Sequence, residues 1–201
     1  MGMQNIAIFG GAFNPITNGH IQSAEFVLNN LQEIDEVWLT PCYRHTYGKD
    51  MASPEHRIEM CKIAIELDPR IYIFPYQISH KLSGSTYEFF LRLKDDQRFK
   101  NYNFHFIIGL DNALSIDKWI NPKNLKEEVP FIVIPRPGYT TDSKEEWFMK
   151  DPHTYLNMDH SIPEVSSSEV RDLLISGKIE EAEKKVPFGV IEYIIDNNLY
   201  L

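Results

Sequence analysis

The chain has 201 residues, 43% apolar and 12% aromatic, which is the composition of a folded globular protein and excludes a disordered one. Its 29 acidic residues against 20 basic ones give a net charge of −9. That excludes a nucleic-acid backbone as the main partner but leaves room for a small anion held by a local cluster. The longest apolar runs are strand-sized, so no segment is predicted to span a membrane.

Taken in chain order, Met1–Asn5 carry no basic region and no extended apolar segment, so no secretory signal is expected. Strands are predicted over 4–9, 36–40, 71–74, 103–108 and 130–134. Between them lie helical patterns over 19–31, 54–67, 86–97 and about 111–127. In the second of these, Ser53-Pro54 opens the helix and Ile58, Cys61 and Ile65 make its apolar stripe. Residues 139–160 are polar and aromatic with weak periodicity and read as a loop-rich excursion. The tail returns to helix at Ser168–Ile175, Ile179–Lys185 and Phe188–Asn197, the last with Val190, Ile191, Ile194 and Ile195 on one face. Strands alternating with helices at this spacing imply an α/β, Rossmann-like, doubly wound parallel sheet with C-terminal helices. Cys42 and Cys61 stand alone, which suggests reduced thiols in a cytoplasmic compartment.

The stretch from Ile6 to His20 carries the most chemistry. An apolar run, Ile6 to Phe9, breaks at Gly10-Gly11, and helical spacing resumes at His20 with Ile21, Ala24 and Leu28. A strand feeding a helix through such a turn aims free backbone N–H groups and the positive end of the helix at one point, which suits phosphate. The spacing is neither the dinucleotide-binding G-x-G-x-x-G nor the Walker lysine loop. Its own mark is Thr17-x-Gly19-His20, a hydroxyl and an imidazole at one helix start; the plainer alternative is a tight turn with a capping Thr. In an open parallel sheet, ligands bind beyond the carboxyl ends of the strands. Gly10–His20 follow the first strand, Pro41–Lys49 the second (with Arg44, His45 and Lys49 as local bases) and Gly109-x-Asp111 the fourth. Three segments thus converge on one edge.

Gly10-Gly11-Ala12-Phe13-Asn14-Pro15-Ile16-Thr17-x-Gly19-His20 resembles the first motif of the nucleotidyltransferase superfamily that transfers AMP or CMP from a nucleoside triphosphate. Val165-Ser166-Ser167-Ser168-Glu169-Val170-Arg171 resembles its second motif, in the expected order and about 150 residues away. The resemblance implies one nucleotidyltransferase domain over 1–201, with 163–201 a C-terminal helical part carrying the serine motif. Such transfer needs the attacking phosphate placed in line and the triphosphate charge neutralised, partly by Mg²⁺ bound mainly through ATP phosphates. His20 can donate to α-phosphate oxygens with Thr17 beside it, and the Arg171 fork suits the β- and γ-phosphates. The same residues also have plain readings. Ser166–Ser168 can be an N-cap and Arg171 a solvated helix charge; Asp111 can serve a ribose or cap a helix; Trp119 can be core or a platform for an aromatic ring. His45, His56, His80, His105, His153 and His160 show no i, i+4 pairing and no H-E-x-x-H, so no metal site is expected.

More of the chain is similar to one branch, the nicotinate- and nicotinamide-mononucleotide adenylyltransferases. The matching segments are Gly109-x-Asp111 with Trp119, Phe131 to Tyr139 with its Arg136-Pro137-Gly138-Tyr139, Ser53-x-x-His56-Arg57-x-x-Met60, Ser85-Thr86-Tyr87, and Tyr193-Ile194-Ile195 with Leu199-Tyr200. That branch implies ATP at Gly10, Gly11, Ala12, Phe13, Gly19, Gly109, Asp111, Ser166, Ser167 and Ser168, with Thr17, His20 and Arg171 catalytic. It implies the mononucleotide at Lys49, Thr86, Trp119 and Arg136. Thr17 stands where bacterial nicotinate-type members usually carry His, and Tyr47-Gly48-Lys49 is also eukaryote-like, whereas Arg136 to Tyr139 is bacterial in character. The pyridine substituent, acid or amide, therefore stays open. Two other readings are a pantetheine-phosphate adenylyltransferase, which shares the first motif but typically ends the second with Lys, and a nucleotide-sensing module without catalysis.

Overall fold

The computed structural model describes residues 2–44, 50–66, 68–143, 145–156 and 165–201. Strand β1 (Gln4–Gly11) leads into α1 (Asn18–Asn30), β2 (Glu36–Pro41) into α2 (Pro54–Ala64), and β3 (Ile71–Ile73) into the single turn α3 (Tyr76–Ser79) and α4 (Thr86–Asp95). There follow β4 (Tyr102–Gly109), α5 (Leu110–Leu114), α6 (Pro122–Glu128), β5 (Phe131–Ile134), β6 (Thr154–Tyr155), α7 (Ser167–Ile175), α8 (Ile179–Glu183) and α9 (Val190–Asp196). All pairings are parallel, in the order β3-β2-β1-β4-β5-β6, so the order reverses between β1 and β4. That reversal is where a doubly wound sheet opens a crevice.

Alternation along the strands sorts side chains onto two faces. Ala7, Ile107, Ile132 and Ile134 turn toward the core under α1, α2 and α7–α9, where Val27, Met60, Val170 and Ile194 are buried. Ile6, Ile8, Phe106, Ile108, Phe131 and Val133 turn the other way, toward Phe89, Leu110 and Leu125 of α4–α6. Burial on both faces explains why β1, β4 and β5 read as near-continuous apolar runs. Each fully buried Leu, Ile or Phe contributes roughly 1.5–3 kcal/mol of transfer free energy.

Four local expectations change. The helix expected over 111–127 is two helices with a 3₁₀ turn at Ile116–Lys118 between them. Asn121 adopts a left-handed φ of 58° and Pro122 opens α6, which together interrupt the helix. The helix expected over 54–67 ends at Ala64, and its buried face is Arg57, Met60, Cys61 and Ala64 rather than the stripe of Ile58, Cys61 and Ile65. The 139–160 excursion contains β6, whose two residues pair with Ile132 and Val133. A strand that short shows no alternation in sequence. Ile195 is 38% exposed, so the buried face of α9 is Val190, Ile191 and Ile194.

Candidate active site

The β1–α1 loop is shaped by a glycine and an aromatic ring. Phe13 is buried with a left-handed φ of 45°, and a β-carbon on Gly11 would meet its ring at 2.9 Å. Only a residue without a side chain fits at Gly11 while that ring is in place. The Phe13 ring in turn stands edge-on to His20, centroids 5.1 Å apart at 74°. Phe13 therefore supports the imidazole from the core side.

Thr17 caps α1 with extended backbone, and its N–H donates to His20 Nδ1 at 3.0 Å, while its Oγ1 lies 2.8 Å from the same nitrogen. A backbone amide can only donate, so Nδ1 is an acceptor and the ring proton of the neutral form sits on Nε2. Burial, with the nearby positive charge of Arg136, lowers the His20 pKa to about 4. The imidazole is thus neutral near pH 7 and carries one donor.

Two cavities open along the sheet edge. One is bounded by Gly10, Gly19, His20, Asp111, Arg136 and Ser166, at the ends of β1, β4 and β5 and the start of α7; Thr17, Gly109 and Ser167 complete its wall. The other, of about 500 Å³, is bounded by Gly11, Ala12, Thr86, Ile108 and Trp119. Gly10 and Asn112 belong to both, so the cavities meet at the end of β1. A β-carbon at Gly109 would meet the Asp111 carboxylate and push that side chain aside. Burial pushes the Cys42 thiol, at the wall of the second cavity, above its usual pKa, so it stays protonated.

Side chains from distant segments tie this edge together. Arg171 Nη1 donates to the Asn14 carbonyl at 2.7 Å and Nη2 to Ser168 Oγ at 3.1 Å; Ser167 Oγ donates to the Pro15 carbonyl at 2.8 Å. Asn14 Oδ1 accepts from Ala52 N–H at 2.9 Å and from the Tyr200 hydroxyl at 2.5 Å. Arg57 is fully buried and donates to the carbonyls of Ala12 (2.8 Å), Cys42 (2.7 Å) and Ala52 (3.0 Å). One guanidinium thus joins the segments that follow β1 and β2 to the approach to α2. His56 Nδ1 lies 2.9 Å from the Tyr193 hydroxyl, linking α2 to α9.

The structure therefore brings His20, Thr17, Gly10, Gly19, Gly109, Asp111, Ser166 and Ser167 to one cavity, and Gly11, Ala12, Thr86 and Trp119 to the other. Arg136, expected beside the mononucleotide, stands in the His20 cavity, because the chain leaving β5 turns toward α1 and α7. Phe13 lies beneath the loop, and Ser168 and Arg171 form its seam with α7. Lys49 lies outside the described residues. Arg57 stands in the Ser53-to-Met60 motif with no role of its own, since a charged residue does not register in an apolar stripe. Asn14 stands in the first motif in the same way, because its bonds to Ala52 and Tyr200 join segments far apart in sequence.

The cytidylyltransferase-like family matches residues 8–173. The chain is 31% identical over 200 residues to the probable nicotinate-nucleotide adenylyltransferase of Bacillus licheniformis, covering 98% of this chain and 99% of that protein. It is 32% identical over 200 residues to the nicotinate-nucleotide adenylyltransferase of Bacillus subtilis, with the same coverage. Its fold is similar to that of Plasmodium falciparum nicotinic acid mononucleotide adenylyltransferase complexed with NaAD, at a TM-score of 0.84 and 30% identity over 98% of this chain and 97% of that one. The Plasmodium falciparum enzyme complexed with APC matches at a TM-score of 0.81 and 32% identity, with the same coverage.

Proposed function

The chain belongs to the cytidylyltransferase-like family and stands among its nicotinate-nucleotide adenylyltransferases, and from that premise we propose that it joins AMP from ATP to a pyridine mononucleotide. The products are the dinucleotide of NAD biosynthesis and pyrophosphate. The observation that carries the reading is the meeting of two cavities at Gly10, with a neutral, singly protonated His20 in the wall of one of them. Adenylyl transfer needs two phosphorylated partners brought in line at one phosphorus.

ATP takes the His20 cavity. The Nε2–H of His20 donates to an α-phosphate oxygen, where charge builds as pyrophosphate leaves. Thr17 acts mainly through His20, holding its tautomer. Ser166, whose Oγ accepts from Glu169 N–H and keeps its own proton to donate, faces the β- and γ-phosphates at the start of α7, while the Ser167 hydroxyl stays on the Pro15 carbonyl; Arg136 and Arg171 add cationic forks on the same side. Asp111 accepts from ribose hydroxyls. The mononucleotide takes the other cavity, with its ring against Trp119 and Thr86 at the start of α4.

Among the described residues no three His, Cys, Asp or Glu side chains gather as a metal site. Mg²⁺ would arrive on the triphosphate, bound mainly through its phosphate oxygens, and neutralise charge there. No helix among the described residues is long and apolar enough to cross a membrane. With both cysteines free, the cytoplasm is the compartment this reading assigns.

The test is pyrophosphate release from Mg-ATP with nicotinate mononucleotide, nicotinamide mononucleotide and phosphopantetheine in separate reactions. Turnover with a pyridine mononucleotide supports the reading. Turnover with phosphopantetheine alone, or with none, overturns it.

A further inference from the structure

Of Lys118, Asn112 and Gln77, polar side chains that line the second cavity and that the reaction described above leaves unused, only Gln77 is buried. Gln77, in α3 beyond the end of β3, is 7% exposed, forms part of the cavity wall, and has an Oε1 with no hydrogen-bond partner among the described residues. Its backbone carbonyl is satisfied by Leu82 N–H at 2.9 Å, so the open valence belongs to the side chain. Buried polar atoms nearly always have a partner, so an orphan on a residue that lines a ligand cavity asks for an explanation, and a turn of the side chain would bring its amide to a ligand there. Ser85, on the same wall, is already engaged: its Oγ accepts from Glu88 N–H at 3.3 Å and caps α4.

Position along the cavity says which part of the ligand meets Gln77. The two cavities join at Gly10 and Asn112, where the reacting phosphates meet. Gln77, Thr86 and Trp119 line only the second cavity, and Gln77 comes from the β3 side of the sheet, away from β4 and β5. They therefore surround the ring end of the mononucleotide. A side-chain amide carries a donor and an acceptor on one planar group, and a half-turn exchanges them with little change in shape. A ring carboxylate asks for donors; a ring carboxamide offers one N–H₂ and one carbonyl.

We propose that Gln77 reads the substituent of the pyridine ring, turning Nε2 toward the carboxylate of nicotinate mononucleotide or Oε1 toward the carboxamide of its amide counterpart. The proposal rests on the assignment of this cavity to the mononucleotide. It implies that the enzyme uses both forms. The positive end of the α4 dipole favours the acid.

The experiment compares kcat/KM for the two mononucleotides in the wild type, Gln77→Glu and Gln77→Met, with KM for ATP measured in each. In Gln77→Glu the carboxylate repels the acid and still accepts from the amide, so kcat/KM for nicotinate mononucleotide falls by about 100-fold and that for the amide by less than about 10-fold. In Gln77→Met both fall by roughly 10-fold, through KM, with KM for ATP unchanged. Wild-type turnover of a pyridine mononucleotide with Gln77→Met unchanged for both would sink the role of Gln77 alone. An unaltered acid-to-amide ratio in a folded Gln77→Glu protein does the same. Wild-type turnover with neither mononucleotide removes the assignment of the cavity, and the proposal with it.

Discussion

The two cavities are built on opposite plans. Around His20 the loop is held by side-chain hydrogen bonds: Thr17 fixes the imidazole, Arg171 and Ser167 pin the loop to α7, and Arg57 anchors Ala12 from beneath. Around Trp119 the wall is mostly apolar and carries a glutamine oxygen with no partner among the described residues. The difference follows from what each side must do. Stabilising charge at a phosphorus rewards groups fixed before the substrate arrives. Choosing between two ring substituents rewards a group that is not fixed.

Arg57 gives the most severe way to break this contrast. Arg57→Met leaves the carbonyls of Ala12, Cys42 and Ala52 without a donor in the core, and we expect a loss of ~3–5 kcal/mol in urea unfolding. A loss well under 1 kcal/mol would mean that the loop is not held by this side chain. Next, His20→Ala should lower kcat by about 10²–10³-fold with little change in KM for the mononucleotide. Unchanged turnover would end its catalytic assignment. On the other side, Trp119→Ala should act through binding, raising KM for the mononucleotide by roughly 10-fold and sparing KM for ATP. Thr17→Ala sharpens the picture from within: the backbone N–H that sets the tautomer survives, so kcat should stay within about 10-fold of wild type. A loss as deep as that of His20→Ala would instead place the hydroxyl on the substrate.

The smallest effect is in pH. His20 has a folded pKa of about 4 against 6.5 when unperturbed, so between those values the unfolded chain binds the proton and the folded one does not. The stability this confers is full above pH 6.5 and is lost as pH falls toward 4. The kcat of the wild type should therefore show no inflection near 6.5 from this group. A titration there, absent in His20→Ala, would contradict a neutral buried imidazole.

Much of this was legible in the residues. Ile6–Phe9 and Phe131–Ile134 announced strands buried on both faces, and Gly10–His20 announced the glycine turn and helix start that line a cavity at the sheet edge, because turn and cap chemistry is local. Arg57 was hidden, since its value lies in three carbonyls far apart in sequence. The side on which Arg136 falls depended on how the chain leaves β5, which spacing does not encode. β6 was too short to show a period, and the split between α5 and α6 turned on one left-handed residue, Asn121.

The bond between the Tyr200 hydroxyl and Asn14 spans 186 positions. Contacts of such separation are the slowest to form, and a chain leaving the ribosome folds from its first residues onward. The central strand and its glycine turn can be in place early, but the β1–α1 loop lacks Ser167, Arg171 and Tyr200 until they have been made. A nascent or truncated chain would thus have the sheet without the finished loop, and the adenylyl transfer proposed above would begin only once the last residues are in place.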